Sequence, residues 1–533
     1  MSVKTLYRRF HGTLNLSSIL PKKSLVSKKP SRDIHPKLPV RTRFAPSPTG
    51  MLHMGSLRTA LYNYLLAKNT GGQFILRLED TDQSRLVQGA EENIYDSLQW
   101  CHLHHDEGPL VGGPFGPYRQ SERTEIYRSY IGTLLKSGHA YRCFCRKERL
   151  EDLRESARKL QPPTTASYDR HCAHLSPDEI KQNLDNGVAY TVRLRAPEKY
   201  PIIQDLLHGT LDIQPQVNAN DVRYDDPILV KSDNLPTYHF ANVVDDHLMK
   251  ITHVIRGEEW LPSTQKHLAI YNAFGWSPPQ FIHIPLLTTT EDKKLSKRKG
   301  DSSVMNLRGR GILPEALVNF SVLFGWSPPR DLAAASHECL SLEQFEQVFN
   351  LNYLTKGNAK VDEKKLWFFN KHYLQLQIES QLPQVAEQVI PLAQAKYGSN
   401  LATAEKVTTI LQKCGKALTT VHEFNDMFSY FFERPNYDHI ASVQEYLATH
   451  DSQQALCILR EFQNGINATD AERLIKQTAG SLDIAKRPIF ECLRFALAGS
   501  KSGAKIPVLV DVLGLEETHK RLDGACKYLE DRI

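Results

Sequence analysis

The stretch Val40-Arg-Thr-Arg-Phe-Ala45, Pro46-Ser-Pro-Thr-Gly50, Met51-Leu-His53-Met-Gly55-Ser56 decides the fold. Its first six residues have strand character, and the two prolines and the glycine that follow forbid regular structure. Leu57, Leu61, Tyr64, Leu65 and Lys68 then recur at a helical period until Gly71-Gly72 interrupts them. Phe74-Ile-Leu-Arg-Leu78 is an apolar run of strand length that ends in Glu79-Asp-Thr-Asp82. Strand, turn, helix and strand make a βαβ unit, and ligands of such units bind beyond the carboxyl ends of the strands. The helix start offers unbonded N–H groups and a partial positive charge, which suit phosphate. Gly55 lets a nucleotide approach the backbone, and His53 can donate a hydrogen bond to phosphate oxygens as charge develops there.

Outward from this unit the chain is modular, since 533 residues exceed one compact domain. Residues 227–231, 251–255 and 281–287 are further strand candidates, expected in the same sheet, so residues 141–225 read as an insertion. Only four of the 29 prolines lie beyond Pro383, and amphipathic helical patterns dominate there. The hexapeptide Phe-Gly-Trp-Ser-Pro-Pro occurs at 274–279 and 324–329, each time as a helix stop. A hydrophobic content of 41% without an 18-residue apolar run excludes a helical membrane span.

The formal charge of +6 is unevenly placed. Residues 1–40 carry six Lys and three Arg against Asp33 alone, and the other 493 residues are slightly acidic. Val3, Leu6, Tyr7, Phe10 and Leu14 share a helical face from which Lys4, Arg8 and Arg9 point away. Six serines and almost no acid complete the composition of a mitochondrial transit peptide, with a disordered RNA-gripping arm as the alternative.

Nine scattered cysteines without a secretory signal indicate reduced thiols. Cys143-Phe-Cys145 and Cys172-Ala-His174 offer soft thiolates and an imidazole, which fit either a structural zinc site or plain free thiols. The basic run Lys147, Arg149, Arg154, Arg158 and Lys159 reads as a nucleic-acid-facing surface or a solvated helix face. A second signature, Lys294-Leu295-Ser296-Lys297-Arg298, gathers cations that in isolation read as a solvated loop and gain meaning only in conjunction with the first.

Together these segments resemble the class I aminoacyl-tRNA synthetases, specifically the glutamyl-tRNA synthetases. The resemblance runs through Pro46 to Gly55, Gly71 to Asp82, Tyr238-His-Phe-Ala-Asn242-Val-Val-Asp-Asp246, Val254-Ile-Arg256-Gly-Glu-Glu259-Trp260 and Lys294 to Arg298. The glutaminyl relative has Glu and Asn where Ser47 and Thr49 stand, and a short paralogue lacks the C-terminal helical domain. Met54, Ser56 and Leu295 depart from the usual Ile, His and Met of the two signatures.

The resemblance implies an α/β fold: a Rossmann-like catalytic domain with an inserted domain that binds the tRNA acceptor end, followed by an all-α anticodon-binding domain. The expected boundaries are a leader at 1–38, catalytic halves at 39–140 and 226–300, the insertion at 141–225, a stem-contact linker at 301–383 and the helical domain at 384–533. It implies that glutamate is activated with ATP to glutamyl-adenylate and transferred to the terminal adenosine of tRNA(Glu) in the mitochondrial matrix. Whether tRNA(Gln) is also charged stays open, and a monomer is expected. His53, Gly55, Lys294 and Lys297 would be catalytic, with Glu259, Leu295, Ser296 and Arg298 also at ATP, and Mg²⁺ accompanying the nucleotide. Arg43, Ala45, Ser47, Glu79, Tyr238, Asn242 and Arg256 would line the glutamate site. Glu79 suits the α-ammonium and Arg256 the side-chain carboxylate, unless Arg256 merely pairs with Glu258 or Glu259. Rival readings are a small-ligand adenylyltransferase of the same superfamily and a non-catalytic RNA-binding derivative.

Overall fold

The computed structural model describes residues 33–218, 220–288, 303–336, 338–438, 441–466, 470–500 and 503–533. β1 (Arg41–Phe44) and β2 (Gln73–Leu76) pair in parallel, with Arg43 opposite Ile75, and α1 (Met54–Asn69) joins them. A Cβ on Gly72 would overlap the Val40 carbonyl, which accepts from Gln73 N–H at 2.9 Å, so glycine is what lets β2 start against β1. Leu57, Leu61, Tyr62, Leu65 and Leu66 of α1 are all fully buried. On one side, Asn63 Nδ2 donates to the Ile255 carbonyl at 3.0 Å. On another, Tyr62 donates to the Phe324 carbonyl at 2.7 Å and Arg58 to the Pro285 carbonyl at 2.6 Å. A helix covered on several sides is apolar nearly all round.

β3 (Ala140–Cys143) and β4 (Thr191–Leu194) form an antiparallel pair. The hairpin of β5 (Ile203–Asp205) and β6 (Gly209–Leu211) follows, and then β7 (Ile228–Val230), α2 (Tyr238–Leu248), β8 (His253–Gly257), α3 (Leu261–Phe274) and β9 (Gln280–Ile284). β8 and β9 are parallel neighbours, as expected. Thr252 donates its N–H to the Arg41 carbonyl at 3.0 Å, so β8 begins alongside β1.

Two strands depart from the sequence expectation. β7 does not join β8 and β9; it pairs with β4, because Leu229 and Val230 bury against Val192, Leu194 and Phe240. An apolar run of strand length carries no information about its partner. Conversely, β5 lies within residues 141–225 yet pairs in parallel with β9, with Asp205 opposite Phe281, which gives the order β6-β5-β9-β8. Three residues of Ile-Gln-Asp are too short to show a period.

Residues 33–35, read as part of the leader, are hydrogen-bonded into this unit. Ile34 N–H donates to Asn352 Oδ1 at 2.9 Å, Asn352 donates to Asp33 at 2.8 Å, and His35 Nε2 lies 2.9 Å from Asn69 Oδ1. The amphipathic pattern over residues 3–14 lies outside the described residues.

The described residues form two compact units, one reaching to Gly309 and including Pro314–Leu366, the other Arg310–Leu313 and Trp367–Ile533. The described part of the second is helical, including Leu382–Tyr397, Ser452–Gly465, Lys486–Ala498 and Ile506–Glu530. It takes in the end of the helix Glu363–Ser380, ahead of Pro383, because Leu374 and Ile378 belong to its core with Leu459, Phe462 and Leu493.

Candidate active site

The carboxyl ends of β1, β2 and β8 and the amino ends of α1 and α2 gather most of the expected residues. His53 is the N-cap of α1, and its Nδ1 accepts from Gly55 N–H at 3.1 Å and Ser56 N–H at 3.3 Å. With Nδ1 accepting, the proton of the neutral ring sits on Nε2, which lies 3.1 Å from Ser56 Oγ. The ring thus takes up the Gly55 and Ser56 N–H groups, and the donor Nε2–H at the positive end of the helix is what suits a phosphate. A Cβ on Gly55 would lie 3.1 Å from His53 Cε1, so glycine keeps the ring in this position.

Lys294, Leu295, Ser296, Lys297 and Arg298 lie outside the described residues. The residues on either side of that segment are at the site: Leu287 Cδ1 is 3.8 Å from where a Gly55 Cβ would stand, and Ser303 forms a bridge with His53.

Glu79 is placed by the turn, since its N–H donates to the Pro46 carbonyl at 3.0 Å. Its Oε1 accepts from Arg77 at 3.0 Å and from Asn242 Nδ2 at 2.9 Å. Arg77, fully buried, also donates to Asp246 at 2.6 Å, and Arg43 donates to the same carboxylate at 3.2 Å. Burial alone would raise the Asp246 carboxyl, but Arg43 and Arg77 outweigh it and hold the group below the usual carboxylate range. Asp245, next along α2, takes Arg123 at 2.8 Å and Tyr127 at 2.8 Å. Arg43, expected to touch the amino acid, gives Nε and one terminal nitrogen to Asp246.

Arg256 is 4% exposed, and no carboxylate pairs with it among the described residues. Its Nε donates to His283 Nε2 at 3.1 Å, one terminal nitrogen to the Tyr238 hydroxyl at 3.0 Å, and the other to Thr264 Oγ1 at 2.7 Å. His267 Nδ1 lies 3.4 Å away. Burial, helped by Arg256, pushes His283 down to about 4 and His267 well below the ordinary value, so both rings are neutral at pH 7. Neither Glu258 nor Glu259 neutralises the guanidinium: Glu258 accepts from Leu286 N–H at 3.3 Å, and Glu259 is exposed. A buried cation with only neutral partners is an anion site in search of its anion.

Tyr238 packs against Trp260 with ring centres 4.6 Å apart and the planes tilted by 43°, and burial raises its phenol so that it stays protonated. Ala45 is half-buried and Ser47 exposed, both on the turn after β1. Arg77, Asp246, Thr264, His267, His283 and Asp205 are site residues that sequence reasoning missed. The signals were a histidine inside the apolar run Phe281-Ile-His-Ile-Pro and the doubled acid Asp245-Asp246. A hollow of about 460 Å³ lined by Arg41, Glu107, Phe115 and Lys250 lies at the opposite ends of β1 and β2, and its Arg41 is already paired with Glu107 at 2.8 Å.

In the insertion, the ligand atoms of Cys143, Cys145 and Cys172 lie within 4.8 Å of one another. Cys145 Sγ is 3.5 Å from Cys172 Sγ, and the Tyr168 hydroxyl lies 3.3 Å from Cys143 Sγ and 3.5 Å from Cys145 Sγ. Hydrogen bonds from Cys145 and Cys172 hold the Cys143 thiol far below its ordinary value. His174, the expected fourth ligand, is exposed and outside this cluster. In the basic run, Lys147 and Lys159 pair with Glu151 and Glu155, and Arg149 pairs with Asp169, leaving Arg154 and Arg158 exposed a turn apart.

A nucleotide-binding sheet with a phosphate-suited helix start, a held carboxylate and an uncompensated guanidinium is the frame of an enzyme that activates an acidic amino acid. Residues 39–368 match the family described as tRNA synthetases class I (E and Q), catalytic domain, and residues 384–526 match an anticodon binding domain. The chain belongs to the class I tRNA synthetases of the glutamate and glutamine group. Among its relatives is the mitochondrial glutamate–tRNA ligase of Saccharomyces cerevisiae, 58% identical over 96% of this chain and 94% of the relative. The glutamate–tRNA ligase of Clostridioides difficile is 40% identical over 91% of this chain and 98% of its own length. A crystal structure of a glutamate tRNA ligase from Elizabethkingia meningosepticum, in complex with its amino acid, superposes with a TM-score of 0.80 at 35% identity, covering 92% of this chain and 100% of that one.

Proposed function

We infer that the chain is an ATP-dependent glutamate–tRNA ligase: it joins the glutamate α-carboxylate to the α-phosphate of ATP, releasing pyrophosphate, and passes the glutamyl group to the terminal adenosine of tRNA(Glu). The observation that carries this reading is Arg256, a buried guanidinium whose missing partner has the charge and planar shape of a carboxylate. Glu79, held through Oε1, would take the substrate ammonium. His53 would hold phosphate oxygens at the helix start, where Gly55 lets the nucleotide approach, assisted by Lys294 and Lys297 and by Glu259, Leu295, Ser296 and Arg298. Mg²⁺ would arrive with the nucleotide, mostly through phosphates and water.

The insertion would grip the acceptor end, with Arg154 and Arg158 as its unneutralised cations, and the helical unit would read the anticodon. The basic leader and the mitochondrial yeast relative support the mitochondrial matrix as the place of work. A monomer that charges tRNA(Glu), with tRNA(Gln) as a second acceptor, is the form we propose. The three thiols converge as a structural zinc site would require, and Cys143, Cys145 and Cys172 would hold the ion. Elemental analysis of the purified protein should find one zinc, lost in Cys172→Ser; none in the parent would return these residues to plain thiols.

Charging of separated tRNA(Glu) and tRNA(Gln) with labelled glutamate tests the main reading. His53→Ala should lower charging by roughly 100-fold. Undiminished charging would remove His53 from the mechanism.

A further inference from the structure

Arg256 holds its place through a histidine, and the histidine through a carboxylate that comes from outside the β8–β9 pair. Parallel register sets Arg256 opposite His283, so their side chains emerge on one face of neighbouring strands. Asp205, at the end of β5, lies beside them because β5 adds to β9. Its Oδ1 accepts from Leu207 N–H at 2.9 Å and His208 N–H at 2.8 Å. Its Oδ2 accepts from His283 N–H at 3.0 Å and lies 2.7 Å from His283 Nδ1. Both residues are fully buried.

An ionised carboxylate can only accept, so Nδ1 must carry the proton of His283. Nε2 is then a bare lone pair, and it accepts from Arg256 Nε–H at 3.1 Å. The other tautomer would set Nε2–H against Nε–H and push the guanidinium away. Thr264 Oγ1, 3.0 Å from the same Nε2 and 2.7 Å from Arg256, ties the pair to α3. Arg256 thus enters the site with its Nε already committed and its planar fork oriented, yet without a counter-charge, because the anion that orients it stands one imidazole away.

We propose that Asp205 and His283 are positioning residues for side-chain carboxylate recognition: Asp205 fixes the His283 tautomer, and His283 aims Arg256 at the glutamate side chain. The proposal rests on Arg256 being the carboxylate-binding group. Asp205→Asn keeps the shape but places an amide N–H toward His283, whose own N–H groups then lack their acceptor and whose ring is driven to the opposite tautomer. The glutamate KM in tRNA charging should rise about tenfold, the worth of one charge-assisted hydrogen bond, while kcat and the ATP KM stay within about twofold.

A double-mutant cycle separates this from a loss of fold. His283→Gln keeps an acceptor oxygen near the Nε2 position without a tautomer to set, so it should retain most glutamate affinity, and Asp205→Asn added to it should change the glutamate KM less than about twofold. His283→Phe, which keeps the ring and removes the acceptor, should raise the glutamate KM as Asp205→Asn does. An equal effect of Asp205→Asn in both backgrounds, an unchanged glutamate KM in the single variant, or a fall in kcat alone would overturn the relay. Arg256→Gln run in parallel tests the underlying assignment: an unchanged glutamate KM there would sink the carboxylate site itself, whatever Asp205 does.

Discussion

The two ends of the candidate site are built on opposite electrostatic plans. At the Glu79 end every buried charge has an opposite charge at hand: Arg77 bonds Asp246 at 2.6 Å and Glu79 at 3.0 Å, and Arg43 backs Asp246. At the Arg256 end the cation meets, among the described residues, a phenol, a hydroxyl and neutral imidazoles and no carboxylate. The first end is complete without ligand and the second is not. Buried ion pairs hold structure because removing one partner strands the other, whereas a buried cation without an anion costs stability and gains by binding one. Under the proposed function, the contrast gives folding to one end and selection of the acid over its amide to the other.

Substituting each end in turn separates these roles. Arg256→Gln should lower kcat/KM for glutamate the most, by roughly 100- to 1000-fold, equivalent to about 3–4 kcal/mol. Its thermal melting should be unchanged or slightly raised, because the residue removed had no counter-charge. Arg77→Met should do the reverse, leaving Asp246 and Glu79 short of a cation and destabilising the catalytic unit by about 3–5 kcal/mol, read as a fall in its melting temperature. If Arg256→Gln melted lower than Arg77→Met, the division of labour would be wrong.

Acid should attack the Arg256 end through its histidines. His239 and His283 are held at about 4 in the folded protein, chiefly by burial, against 6.5 for a free histidine. Between those values the unfolded chain binds protons that the folded one refuses, so stability is complete above pH 6.5 and falls as the pH drops toward 4, by roughly 3 kcal/mol for each ring. Denaturant titrations at pH 7 and pH 5 measure this loss, and an equal midpoint at both would contradict the buried neutral rings. The smallest effect is expected at the phosphate end. Gly55→Ala puts a methyl 3.1 Å from His53 Cε1, and the ring must yield by a few tenths of an ångström. A fall in kcat of about fivefold, roughly 1 kcal/mol, should follow with glutamate KM unchanged.

Much of this was legible in the residues before folding was considered. The βαβ unit could be read because Pro46, Pro48 and Gly50 mark the turn, the apolar period of α1 is long, and Gly71-Gly72 stops it. His53 and Gly55 could be placed at the start of α1 because the turn before them and the apolar period after them bound the helix, while their role at a phosphate drew its weight from the other motifs. The partners of β5 and β7 could not, since three-residue strands carry no register and an apolar run fits any sheet. Nor could the fate of Arg43, whose place at the end of β1 suited ligand contact as well as the Asp246 pair it makes.

Sequence by itself determined the groups that the motifs carry, because those residues sit at fixed offsets from strand ends and helix starts; it did not give Asp205, Thr264, His267 or His283. It also determined the charge imbalance, which is local to the first forty residues. Only the tertiary structure decided which cation keeps an anion. That choice depends on Asp246 reaching Arg43 and Arg77 across more than 160 residues, and on β5 bringing Asp205 to His283 rather than to Arg256. Coulomb energy in a low-dielectric interior turns on distances of a few ångströms, and such distances between remote segments exist only once the sheet has closed.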